Sequence, residues 1–70
     1  MKTELLIIRS DENYIRYKDG SYFPAPFDKA SVFPVKKAET VLHHLDRARR
    51  AGFGNACIRK LVITEEDWNQ

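Results

Sequence analysis

Side chains that could act as nucleophiles or bases are few in this sequence and widely spaced. Hydrolytic chemistry needs a nucleophile, a base and an orienting group held together by a rigid scaffold. None of the candidates lies in a recognisable nucleophile elbow, and the carboxylate pairs fall in a predicted turn and in the tail. We therefore expect no catalytic residue and no enzymatic activity. The candidate nucleophiles and bases are Ser10, Ser21, Ser31, Thr40, His43, His44 and Cys57.

The adjacent histidines His43 and His44 suggest a metal site, but helical geometry argues against one. Neighbouring residues of a helix point about 100° apart, so the two rings cannot reach one ion as an i, i+4 pair can. Glu39 and His43 do share a helix face, yet two ligands are too few for a structural site. The three glycines are isolated turn residues, so they form no glycine-rich phosphate loop. We expect neither a metal nor another cofactor.

Basic residues suggest a nucleic-acid-binding surface. A stripe of basic residues along the predicted helix and last strand could contact successive phosphates, while tyrosines on an open sheet face could stack on bases. Glu39 and Asp46 interrupt the basic helix face, however, and ten acidic residues nearly balance twelve basic ones, for a net charge of +2. A solvated helix face has the same composition. Single-stranded nucleic-acid binding is therefore the alternative function, through Lys36, Arg47 and Arg50 of the helix and Arg59 and Lys60 of the last strand.

Aromatic and arginine residues of the predicted hairpin favour a protein partner. Tyrosine, phenylalanine and arginine are the residue types enriched at binding hot spots. The other interpretation is that these aromatics fill out a thin core. We expect a protein-binding surface formed by Tyr14, Arg16, Tyr22 and Phe23 on a helix-free sheet face, for a partner whose identity the sequence does not give. A homodimer through the same surface would also bury it.

One amphipathic helix over residues 36–51 is the clearest element of the sequence. Its apolar residues fall within an arc of about 120°, which is the stripe that a helix buries against a sheet. Both histidines are expected on its solvent side. The start is poorly capped, whereas Gly52 and Phe53 predict a Schellman closure at the end. The predicted buried stripe consists of Ala38, Val41, Leu42, Leu45 and Ala48.

Apolar and β-branched runs predict strands over residues 4–9, 14–18, 21–23 and 56–64. Asp19-Gly20 is a strong hairpin signal between the second and third strands. The prolines of residues 23–27 should break the ladder there, and residues 31–33 should form a brief extended piece. The fold class is α+β, ordered β-β-β-α-β, with a mostly antiparallel sheet of three to four strands. A single helix covers one face and leaves apolar surface on the other.

Seventy residues predict a single domain over residues 1–70, with residues 65–70 as a flexible tail and Trp68 either loose or folded back. The only cysteine, Cys57, is consistent with a reducing compartment. The apolar run at residues 5–8 is too short for a signal peptide or for the ~20 residues that span a bilayer. We expect a soluble, cytoplasmic protein without a membrane partner.

The order of features from residue 14 to residue 45 resembles that of small uncharacterised domains of phages and bacterial mobile elements. In such sequences a tyrosine-containing hairpin with Asp-Gly precedes an Asp-x-Ala-x-Val-Phe segment, which here begins at Asp28. A helix beginning near Lys-Ala-Glu and a final hydrophobic strand follow. This sequence departs from the pattern at Val35, where a capping Ser or Thr is typical, and in its Pro24–Pro26 loop. The resemblance implies a phage-type accessory protein, a class that includes inhibitors of host enzymes and defence systems.

Overall fold

The structure is a computed structural model that describes residues 2–69. These residues form five strands, one α-helix and two short 3₁₀ turns, in the order β-β-β-β-α-β. The predicted α+β class is confirmed. The strands are β1 (Lys2–Ser10), β2 (Asn13–Lys18), β3 (Ser21–Ala25), β4 (Val32–Pro34) and β5 (Cys57–Thr64); the helix α1 is Ala38–Arg50, and the 3₁₀ turns are Phe27–Lys29 and Val35–Lys37.

Strand β1 lies at the centre of the sheet because both of its edges are paired. One edge pairs with β5 along the whole strand, beginning with Lys2 opposite Thr64. The other edge is shared, since residues 9–10 pair with β2 and residues 5–7 pair with β4. Strand β3 pairs with β2 and forms an edge of the sheet. All of these ladders are antiparallel.

The β2–β3 hairpin turns at Asp19 and Gly20, as predicted. Both residues have positive φ, 52° at Asp19 and 77° at Gly20, which is the mirror-image turn that matches the twist of paired strands. Lys18 therefore lies opposite Ser21, and the same register continues to Tyr14 opposite Ala25. A two-residue turn fixes which side chains of the hairpin share a face.

One expectation about the strands is wrong, and the extended piece predicted at residues 31–33 is paired as a strand. Strand β3 does not end at Phe23, because the ladder continues through Pro24, opposite Ile15, to Ala25. A proline is compatible with an edge strand, where its missing N–H need not serve a neighbour. The extended piece near Phe33 is a fourth strand, and Ser31 just before it joins β2, with the Tyr17 N–H donating to its Oγ at 2.9 Å.

Helix α1 begins at Ala38, two residues later than predicted, after the 3₁₀ turn Val35–Lys37. Among residues 2–69, no side chain caps this end. The other end closes as predicted: Gly52 has φ 113°, and the Phe53 N–H donates to the Ala48 oxygen at 3.1 Å. This is the Schellman arrangement, which satisfies carbonyls that the last helical turn leaves free.

The core lies between α1 and one face of the sheet. Ile8 and Ile15 from the sheet pack against Val41 and Leu45 from the helix, and Ala56 closes the end of the cluster. The predicted helical stripe is wrong at two positions, since Ala38 and Leu42 are exposed. The helix instead faces the sheet with Val41, His44, Leu45 and Ala48, of which His44 is half-buried.

Residues 65–69 have no regular secondary structure, and Trp68 among them is exposed rather than folded back onto the sheet. Gln70, the last residue of the predicted tail, lies outside the described residues. At 13 residues, α1 is the longest helix between residues 2 and 69, and it is too short and too polar to cross a membrane.

Candidate functional site

Successive side chains of a strand point to opposite faces, so the registers assign each strand position to one face of the sheet. Leu6 and Ile8 pack towards α1, and Ile7 between them therefore points away from it. We call the face away from α1 the open face. Its strand positions are Thr3, Leu5, Ile7, Arg9, Tyr14, Arg16, Lys18, Ser21, Phe23, Ala25, Val32, Pro34, Cys57, Arg59, Leu61 and Ile63.

Three of the four predicted protein-binding residues lie on the open face. Arg16 and Phe23 are direct cross-strand neighbours, and Tyr14 lies next to Arg16 along that face of β2. The Tyr14 ring meets the Phe27 ring edge-on at a centroid distance of 5.3 Å. This contact brings the 3₁₀ turn Phe27–Lys29 to the margin of the open face.

The fourth predicted residue, Tyr22, lies on the other face, so its predicted placement on the helix-free face is wrong. Tyr22 lies opposite Tyr17, and the two rings are 5.0 Å apart beside α1. Its hydroxyl is 2.8 Å from His44 Nδ1. The His44 ring also stacks on Phe33 at 5.2 Å. We call Tyr17, Tyr22, Phe33 and His44 the aromatic cluster.

The expectation that both histidines face solvent is wrong for His44, and burial sets the ionisation of the aromatic cluster. Burial lowers the pKa of His44 from its ordinary value of 6.5, and the positive charges of Arg47 and His43 add to this. Burial also raises the pKa of Tyr22, an effect that Arg47 partly offsets. Both shifts favour neutral side chains, in which the Tyr22 hydroxyl can donate to an unprotonated Nδ1. The aromatic cluster therefore forms part of the packing contact between α1 and the sheet.

The open face is apolar along much of its length. Exposed fractions are 48% for Phe23, 45% for Val32 and 44% for Ile63. Leu5 and Leu61 are half-buried cross-strand neighbours beside them. The apolar surface that the sequence predicted on the helix-free side is therefore present, and the tail around Trp68 does not cover it.

Charged side chains on the open face are all basic. They are Arg9, Arg16, Lys18 and Arg59, and no strand position of this face between residues 2 and 69 holds Asp or Glu. Arg9 lies 5.8 Å from the centroid of the Tyr14 ring and donates from Nε to the backbone carbonyl oxygen of Asp11 at 2.9 Å. The open face thus combines exposed apolar side chains with charges of one sign.

The five predicted nucleic-acid-binding residues do not share one surface. Arg59 and Lys60 are adjacent in β5 and point to opposite faces, and Lys60 pairs with Glu4 at 3.4 Å. Arg50 pairs with Asp46 at 3.2 Å. Arg47 and Arg50 line an open depression of about 490 Å³ beside the β2–β3 turn, and Lys36 lies at the start of the helix.

Within the part of the chain that the structure describes, no three His, Cys, Asp or Glu side chains come close enough together to hold a metal ion. Cys57 is exposed at the start of β5, opposite Arg9.

Sequence reasoning missed the placement of Tyr22 in the sheet and of His44 in the helix, although the sequence signals both. Asp19-Gly20 as a two-residue turn already places Tyr22 opposite Tyr17 and away from Arg16. Val41, His44, Leu45 and Ala48 are spaced i, i+3, i+4 and i+7, which predicts His44 on the buried face. Comparison of the chain with protein families, curated proteins and solved structures gives no match.

Proposed function

We propose that this protein is a non-enzymatic interaction module that binds a protein partner through the open face. The observation that carries the proposal is a sheet surface with exposed Phe23, Val32 and Ile63, on which every charged strand position between residues 2 and 69 is basic. Exposed apolar patches with such composition mark interaction sites more often than ordinary solvated surface. Tyr14, Arg16 and Phe23 supply the aromatic and guanidinium groups that dominate binding energy at interfaces.

The charges of the open face define the chemistry of the partner. Arg16 and Arg59 are exposed on the same face of the sheet as the apolar side chains of Leu5, Val32 and Leu61. A partner that covers these apolar side chains with its own and meets the arginines with carboxylates would leave no buried unpaired charge. An acidic protein surface with an apolar centre fits this arrangement, and opposite charges would also accelerate association.

The resemblance of residues 14–45 to phage and mobile-element domains supports a more specific role. In this proposal the protein acts in the bacterial cytoplasm as an accessory protein that binds and inhibits a host protein. Inhibition requires no chemistry from the chain itself. Occupation of a functional surface of the partner by the open face is sufficient.

The test compares capture of proteins from a lysate of the source cells by three immobilised forms of the chain. The open-face variant carries Arg16→Glu and Phe23→Ala. The matched control carries Lys37→Glu and Leu42→Ala, which likewise reverse one basic charge and truncate one large apolar side chain, at exposed positions of the 3₁₀ turn and helix. We expect a protein that binds the wild type and the control and is lost with the open-face variant. A protein retained equally by all three forms would contradict the proposed surface.

Single-stranded nucleic acid is the second candidate partner, and the one-signed charge of the open face favours it. Arg9, Arg16 and Arg59 could contact phosphates while Tyr14 and Phe23 stack on bases. This site replaces the predicted helix-and-strand stripe, whose residues lie on different surfaces. Counterion release requires affinity for a labelled oligonucleotide to fall steeply as salt rises from about 50 to 200 mM. Loss of binding with Arg59→Ala would support this function, and absence of binding at about 50 mM salt would exclude it.

A further inference from the structure

The outer edge of β5 is the longest free strand edge in the sheet. Strand β5 has eight residues and pairs with β1 on one side; between residues 2 and 69 no strand pairs with its other side. The other strands at the margins of the sheet, β3 and β4, are shorter, and β3 is interrupted by Pro24. An exposed edge presents a row of unpaired N–H and C=O groups and can pair with another chain.

The charge along this edge changes from basic at the start of β5 to acidic just after its end. Arg59 and Lys60 lie near the start of β5, an apolar centre follows, and Glu65 and Glu66 come directly after its end. Lysines and arginines on an edge strand usually discourage pairing. Antiparallel pairing with a second copy of the same edge removes that obstacle, because it places the basic end of each strand beside the acidic end of the other.

Symmetry restricts the register of such a pair. A two-fold axis perpendicular to the sheet keeps every side chain on its own face, so paired residues must both be odd-numbered or both be even-numbered. An axis at Val62 places Arg59 opposite Glu65 of the second copy. The same register places Leu61 opposite Ile63 of the second copy. Each charged or apolar pair occurs twice, as an isologous interface requires.

We propose that two copies of this chain pair antiparallel through the outer edges of β5, with the two-fold axis at Val62. The pairing joins the two five-stranded sheets into one. It covers apolar side chains of Val62 and Ile63 that are exposed in the single chain. Because the axis is perpendicular to the sheet, both helices lie on one side and the two open faces form one continuous surface. This dimer is distinct from the open-face interaction and does not require it.

The test uses sedimentation equilibrium of the full chain, with circular dichroism to verify folding of each variant. We expect a wild-type dimer whose dissociation constant rises about tenfold or more in Arg59→Glu and in Glu65→Arg, because each places like charges opposite each other. The matched controls Lys37→Glu and Glu39→Arg change the same charges at exposed positions away from the edge and should leave the dimer intact.

Mixing the two edge variants gives the decisive result. Arg59→Glu places an acidic side chain at both position 59 and position 65, and Glu65→Arg places a basic side chain at both. An equimolar mixture should therefore form a heterodimer although each variant alone dissociates. A wild-type chain that remains monomeric at about 100 μM would overturn the proposal. A dimer insensitive to these charges, or a mixture that fails to associate, would overturn it as well. Either result leaves the partner capture by the open face to be judged separately.

Discussion

Apolar side chains on the two faces of the sheet differ in exposure, although Ile7 at the centre of the open face is 2% exposed and Val62 at the edge of the helix side is 47% exposed. On the helix side Ile8 and Ile15 are 2% exposed, because Val41 and Leu45 cover them. On the open face Ile63 keeps 44% of its surface exposed. Helix α1 covers apolar side chains on its own side of the sheet, whereas the open face retains exposed apolar surface that a partner could cover. The comparison separates residues that stabilise the fold from residues available for binding.

The largest expected difference between the faces is in stability. Ile15→Ala leaves a cavity in the core and should lower the free energy of unfolding by about 3 kcal/mol. Ile63→Ala removes surface that is already partly hydrated, and should cost less than about 1 kcal/mol. Urea denaturation followed by circular dichroism measures both values. Equal losses would mean that the open face is as well packed as the core, which would remove the contrast.

A pair of adjacent residues sharpens the comparison within one strand. Tyr22 points to the aromatic cluster and Phe23 to the open face. Tyr22→Ala should lower the unfolding free energy by about 2 kcal/mol through lost aromatic packing, and partner capture should persist wherever the chain is folded. Phe23→Ala should cost less than about 1 kcal/mol and abolish capture. The reverse pattern in denaturation and capture assays would show that the faces have been assigned the wrong roles.

The aromatic cluster should make the helix side sensitive to pH. The pKa of His44 is lower in the folded chain than its ordinary value of 6.5, so the unfolded chain binds more protons between these two values. Stability is therefore fully present above about pH 6.5 and falls as pH decreases towards the folded pKa. Urea denaturation at about pH 7.5 and 5.5 measures the loss. His44→Gln should reduce this dependence, and the matched His43→Gln should retain most of it.

The smallest effect is expected on the solvent side of the helix. The Arg50–Asp46 ion pair is exposed and spaced i, i+4. Asp46→Asn should change the unfolding free energy by no more than about 0.5 kcal/mol, and added salt should reduce even that. Denaturation at low and high salt provides the measurement. A loss comparable to that of Ile15→Ala would indicate that the pair supports the core, contrary to its position.

Local chemistry made part of this fold predictable. The positive φ angles at Gly20 and Gly52 follow from turn and helix-end signals, and so do the hairpin and the end of α1. Strand β4 was not predictable as a strand, because three residues acquire that identity only by pairing with β1. The continuation of β3 through Pro24 likewise depends on its edge position, which is a property of the whole sheet.

The candidate site was predictable in composition and less so in geometry. Alternation along β2 correctly grouped Tyr14 with Arg16 on one face. The exclusively basic charge of the open face required the β1–β5 register, because this register brings Arg9 and Arg59 to the same side. No local signal relates residues so far apart in sequence.

The position of β1 also affects how the chain reaches its native state during synthesis. Lys2 pairs with Thr64, so the longest ladder joins the earliest described residues to some of the last. A nascent chain on the ribosome cannot complete this ladder until β5 has emerged, and until then one edge of β1 has no partner. Pairing between such distant segments slows folding, because closing the long loop between them costs entropy before any stabilising contact forms. Translation intermediates of this protein should therefore be susceptible to proteases until β5 has emerged from the ribosome.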